Sequence, residues 1–175
     1  MQRSLVMTVI GQDRPGLVDS VASIVAEHGG NWLESRMSRL GGQFAGIVHV
    51  EVSDEKEQSL ADALKTLAAR GLTVVVHADQ PQTSAGRRTN ILELVGQDRP
   101  GIVRQISHTL AELGVNVEEL HTECTSAAMS GETLFKARAI LSVPESCDLS
   151  ELRKNLEKIA GDLIVEISLE NLSSK

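Results

Sequence analysis

Two aspartates, Asp13 and Asp98, hold the same place in an identical six-residue string, Gly11-Gln12-Asp13-Arg14-Pro15-Gly16 and Gly96-Gln97-Asp98-Arg99-Pro100-Gly101. Apolar, β-branched residues precede each string and an apolar helical pattern follows it, so the string reads as a strand-to-helix turn. The aspartate is placed to cap the helix, and the proline to stand in its first turn. Such a turn presents backbone N–H groups that attract an anion. A neighbouring aspartate accepts hydrogen bonds from an ammonium group. A free α-amino acid carries both charges, so the turns at Asp13 and Asp98 are candidate ligand sites. A conformational reading competes, in which the aspartate only caps and the glycines and proline only shape the turn. Its weakness is that Ser, Thr or Asn would cap as readily, yet aspartate stands in both copies.

Neither string ends in the Lys-Ser/Thr of a phosphate loop or completes G-x-G-x-x-G spacing, which argues against a nucleotide site. Asn31 and Asn116 follow glycine helix stops, where asparagine is common for conformational reasons. They become ligand contacts if the copies pack side by side. Asn116 would then face the turn at Asp13 and Asn31 the turn at Asp98, giving two sites related by a pseudo-twofold axis. Glu34 and Arg36 read as surface charges across a strand pair, and Trp32 as a packing or seam residue. In His121-Thr122-Glu123-Cys124, strand geometry sends Cys124 to the face opposite His121 and Glu123, which disfavours a metal site. His28, His49, His77 and His108 are scattered, without a nucleophile elbow or H-E-x-x-H motif. No catalytic constellation emerges, and no cofactor is implied.

The elements that must position these residues repeat at an offset of 85. A strand over 4–10 leads into the first turn, and a helix follows with Leu17, Val18, Val21, Ile24, Val25 and His28 on its apolar face, stopped by Gly29-Gly30. A hairpin over 32–40 and 43–52 turns at Gly41-Gly42. Asp54 with Glu57 resembles a capping arrangement for a helix over Leu60, Ala63, Leu64 and Leu67, and residues 72–77 supply the last strand. The second copy runs as a strand over 90–95, a helix ending at Gly114, strands 117–125 and 133–143, a helix capped by Asp148 and Glu151, and a strand over 163–169. Phe135 matches Phe44 at an offset of 91, so this hairpin carries six extra residues, centred on 126–131. The division is a first domain over 1–78, a linker over 79–88 that includes Arg87-Arg88, and a second domain over 89–171. Each domain has the β-α-β-β-α-β order of a ferredoxin-like α+β fold.

The chain of 175 residues is 41% hydrophobic and 23% charged, which suits a globular fold and argues against disorder. Its formal net charge is −7, with two Phe, one Trp and no Tyr. It therefore lacks the basic stripe and stacking platforms of a direct nucleic-acid binder. Cys124 and Cys147 form no C-x-x-C pair, and a disulfide between them is not expected. No signal peptide or membrane span is evident, which leaves the cytoplasm as the default compartment.

Strand, Gly-x-Asp-Arg-Pro-Gly-Ile/Leu-Val, helix and Gly-x-Asn, found twice in this order, resemble the ACT-domain family across nearly the whole chain. Within it, Asn31-x-x-Glu34-Ser35-Arg36-Met37-x-x-Leu40-Gly41-Gly42-x-Phe44 resembles the glycine cleavage system transcriptional repressor type, which consists of two ACT domains. The resemblance implies a non-enzymatic, amino-acid-sensing module whose two domains sit side by side, sharing an eight-stranded antiparallel sheet with helices on one face. It implies a small amino acid, glycine or serine, bound at the seam by Gly11, Asp13, Gly16 and Asn31 with Gly96, Asp98, Gly101 and Asn116. Some serine-binding relatives carry histidine where this chain has Gly11 and Gly96. The implied protein partner is a DNA-binding activator. The alternative is a sensor subunit of an amino-acid or one-carbon metabolic enzyme, and a homodimer through edge strands or helices is open.

Overall fold

Along the segment entering the first turn, every second residue is buried: Leu5, Met7 and Val9. They lie on β1 (Gln2–Gln12) of the computed structural model, which describes residues 1–79, 86–126 and 131–171. The chain divides into two units, Met1–Gln82 and Thr83–Lys175. In the first, α1 (Leu17–Glu27) buries Leu17, Val21 and Val25, a helical spacing that presents one apolar stripe. It stops at Gly29, with φ 67°. β2 (Asn31–Leu40) and β3 (Gln43–Ser53) follow. They are joined by Gly41 and Gly42, both at positive φ, as a tight two-residue hairpin requires. Next come α2 (Asp54–Lys65), a 3-10 turn over Thr66–Arg70 and β4 (Leu72–Ala78).

The second unit repeats the order with β5 (Arg87–Gln97), α3 (Ile102–Glu112), β6 (Asn116–Ser126), β7 (Thr133–Pro144), α4 (Leu149–Leu163) and β8 (Val165–Asn171). Strand order is β2-β3-β1-β4 in one sheet and β6-β7-β5-β8 in the other, with every neighbour antiparallel. Both units are therefore ferredoxin-like, as expected. The pairings among the described residues give two four-stranded sheets and do not include the eight-stranded sheet anticipated from the resemblance. In each unit the helices bury their apolar stripes against one sheet face, around Leu5, Met7, Val48, Val50 and Leu60 in the first and Leu92, Leu94, Leu141, Leu152 and Leu156 in the second.

Several boundaries differ from the sequence reading for local reasons. Arg87 and Arg88 are not linker: they begin β5, opposite Pro144 and Val143. Their guanidinium groups donate to the Ser142, Gly114 and Cys147 carbonyls, and Arg87 Nε also reaches Ser142 Oγ at 2.6 Å. Asp54 and Glu57 do not cap α2, whose N-cap is Ser53 without a side-chain bond; both acids pair with Arg3 instead. Asp148 does cap α4, accepting from the Ser150 N–H at 2.8 Å. That helix runs on to Leu163 and ends at Ile164 with φ 56°, so the last strand begins later than expected. The widened hairpin pairs as far as Ser126 with Thr133. Its residues 127–130, like 80–85 of the expected linker, lie outside the described residues.

The second core contains a polar residue where the first has an aliphatic one. Asn90 is 2% exposed and holds the register position of Leu5, since Leu5 faces Val50 and Asn90 faces Leu141. Its Nδ2 donates to the Glu170 carbonyl at 3.2 Å, but its Oδ1 has no hydrogen-bond partner. A buried acceptor without a donor costs more than a hydrogen bond returns. Asn90→Leu is therefore expected to raise unfolding free energy by about 1 kcal/mol in urea titrations. Equal or lower stability would mean that the amide is already satisfied.

Candidate functional site

Each hexapeptide closes its central strand and opens the following helix, and its glycines have separate physical reasons. Gly11 pairs with Phe44 and Leu72, and a Cβ there would stand 2.5 Å from the Gly71 carbonyl oxygen. At Gly96 a Cβ would meet Val165, with its Cα at 2.7 Å. No side chain fits at either position, so a histidine such as some relatives carry there is sterically excluded. Gly16 and Gly101 have open space around them but φ of 89° and 95°, a left-handed conformation that favours glycine.

The aspartates do not cap. Gly16 and Gly101 are the N-cap residues, with no side-chain bond to the helix, and Pro15 and Pro100 precede the cap instead of standing in the first turn. Both corrections have one cause. The left-handed glycine turns the chain into the helix only at Leu17 and Ile102, two residues after the proline. The first-turn N–H groups of α1 and α3 are therefore left without side-chain acceptors, as an anion site requires. Each aspartate N–H is already used, bonding to the Gly42 carbonyl at 2.9 Å for Asp13 and the Thr133 carbonyl at 2.9 Å for Asp98.

The carboxylates differ between copies. Asp13 Oδ2 lies 2.7 Å from Arg39 Nε, and the adjacent Arg14 donates to the Arg70 carbonyl at 2.6 Å. Asp98 is exposed and has no ion-pair partner among the described residues. Its neighbour Arg99 bonds to Gln97 Oε1 at 3.2 Å.

Asn31 and Asn116 are exposed at the far ends of the sheets from the turns. Asn31 shares a row with Glu51 and Ser4, whereas Gln12, beside Asp13, shares one with Gln43. Eight residues of strand separate the rows, roughly 27 Å at the usual rise. Asn116 lies in the row of Ser142 and Thr89, equally far from Gln97. Neither asparagine can contact a ligand held at the turn of its own copy.

Below the second turn, Ile102, Val103, Ile106, Val117, Leu120 and Phe135 line a narrow apolar cavity of about 50 Å³. In the first copy the register position of Val117 holds Trp32, which packs against the core. Glu34 and Arg36 lie along one strand with 3.4 Å between Oε1 and Nη2. Cys124 and Cys147 are free thiols, and burial pushes the Cys147 thiol up from its ordinary value, with Arg88 acting in opposition. Among the described residues no cluster of His, Cys, Asp or Glu could hold a metal, and no helix is long and apolar enough to cross a membrane.

One polar cluster escaped the sequence reading because its members lie on separate strands. Ser4 Oγ bonds to His49 Nε2 and donates to Asp79 Oδ2 at 3.2 Å, while that carboxylate oxygen lies 3.7 Å from the same Nε2. A nucleophile relay needs the carboxylate on the other ring nitrogen. The cluster therefore ties β1 and β3 to the end of β4 without the geometry for acyl transfer.

Residues 3–77 and 88–170 each match the family model of the ACT domain. Among solved structures, a protein of unknown function from Galdieria sulphuraria superposes with TM-score 0.89 at 30% identity, covering 98% of this chain and 99% of that one. A candidate glycine cleavage system transcriptional repressor superposes with TM-score 0.71 at 19% identity, covering 99% of both chains, a likeness of fold. A UPF0237 protein of Streptococcus mutans is 35% identical over 81 residues, which is 46% of this chain and 85% of that protein.

The close approach at Gly96 gives a direct test of the turn's construction. Gly96→Ala should destabilise the chain by about 1–3 kcal/mol through overpacking against Val165, read as a lower urea midpoint. Gly161→Ala, at a helical site with nothing within 4 Å, should be neutral or mildly stabilising by the same measure.

Proposed function

The chain belongs to the ACT-domain family through both of its copies, and from that premise we propose that it is an amino-acid-responsive regulator without catalytic activity of its own. Its ligand is a small α-amino acid, glycine or serine, held at the β1–α1 and β5–α3 turns. The observation that carries this reading is the repeated helix start, where first-turn N–H groups lack a side-chain cap and an aspartate stands three residues before the N-cap. The ligand carboxylate is suited to the N–H groups, and its ammonium to Asp13 or Asp98. Gly11, Gly16, Gly96 and Gly101 shape the turn that presents these groups. Asn31 and Asn116 lie outside the reach of their own copies' turns and join a site only through contacts made beyond those copies.

Regulation is exerted by contact with a protein partner, a DNA-binding activator in this reading. The likeness in fold to the candidate glycine cleavage repressor points in that direction. A net charge of −7 is poorly suited to direct DNA binding. Ligand changes partner affinity only if it binds the two states unequally, with coupling of typically about 1–3 kcal/mol.

Calorimetric titration with glycine and L-serine tests the site. Wild-type protein should bind at least one of them, and Asp13→Asn combined with Asp98→Asn should weaken binding roughly tenfold or more, the cost of losing a charge-assisted hydrogen bond. No heat at saturating amino acid, or unchanged affinity in the double variant, would refute the assignment.

A further inference from the structure

Resting on that reading of the turns, we propose that the two copies are unequal ligand sites: Arg39 stands in for the ligand's ammonium at Asp13, so the turn at Asp98 fills first. The register identifies the difference. Arg39 faces Phe44, which faces Gly11; Cys124 faces Phe135, which faces Gly96. Arg39 and Cys124 therefore occupy one structural position, in the row of the glycine that opens each turn. In the first copy that position delivers a guanidinium to within 2.7 Å of Asp13 Oδ2. In the second it carries an exposed cysteine, which brings no positive charge.

Among the described residues no other cation pairs with Asp98. Arg99 is turned to Gln97, and the hairpin residues 127–130 are Ala-Ala-Met-Ser, without a positive charge. Lys136 follows Phe135 on β7 and therefore points to the opposite sheet face. The first turn is further tied by Arg14 to the Arg70 carbonyl, whereas the second adjoins the apolar cavity that begins at Ile102 and Val103.

An incoming amino acid at Asp13 must displace Arg39, whose ammonium-like contact is already made. At Asp98 no ion pair among the described residues has to be broken. Arg39 is 70% exposed and Asp13 33% exposed, so the pair is screened and the penalty is modest, about two- to fivefold in affinity. Arg39 thus sets the order of filling without closing the first site.

Amide NMR titration of the full chain with glycine and with L-serine reads the two turns separately. In wild-type protein the amides of 96–103 should saturate at about two- to fivefold lower concentration than those of 11–18. Exchanging the pair, Arg39→Cys with Cys124→Arg, should reverse the order. Should that variant not fold, Arg39→Gln alone should bring the first turn's affinity up to that of the second. Equal saturation of both turns in wild type, or earlier saturation of the first, would overturn the inequality while leaving amino-acid binding intact. Absence of shifts at both turns would remove the binding reading itself and the inequality with it.

Discussion

The close approach of a returning strand to the glycine next to the end of each central strand governs the local structure. Gly71 and Leu72 crowd Gly11, and Val165 crowds Gly96, so neither glycine could carry a side chain. The central strand runs one residue past that glycine, and the left-handed Gly16 and Gly101 then reverse the chain into a helix. Glycine at the N-cap brings no acceptor of its own. The helix start is therefore both rigidly placed and chemically open, a combination that a Ser or Asp cap would have removed.

Duplication preserved this geometry while the surroundings diverged. Leu5 and Asn90 share one register position in the two copies, as do Trp32 and Val117, and Arg39 and Cys124. Each change alters packing or charge without moving a strand, because the ladders and the β-bulges at Trp32/Glu34 and Val117/Glu119 are matched. Backbone equivalence is thus joined to side-chain inequality beside the two turns. The ACT-domain fold thus supplies the positions, and the side chains beside Asp13 and Asp98 differ between the copies.

Element order, helix stops and hairpins were legible in the sequence because glycine, β-branching and apolar spacing carry local information, as at Gly29, Gly41-Gly42 and the Leu17-Val21-Val25 stripe. Arg87 and Arg88 were not, since their place in β5 depends on carbonyls of Ser142 and Cys147 far along the chain. The capping role assigned to Asp13 failed for a local reason, the left-handed glycine that moves the helix start. Its actual partner, Arg39, could be inferred only from strand register. The Ser4–His49–Asp79 cluster was likewise invisible, because three strands had to be aligned before its members met.

The most direct test of the account is a crystal structure of the full chain grown with saturating glycine or L-serine. It should show the amino acid at the β5–α3 turn, its carboxylate on the first-turn N–H groups of α3 and its ammonium within hydrogen-bond distance of the Asp98 carboxylate. A ligand bound elsewhere, with the N–H groups of both turns left to water, would contradict the claim that these helix starts are the amino-acid site.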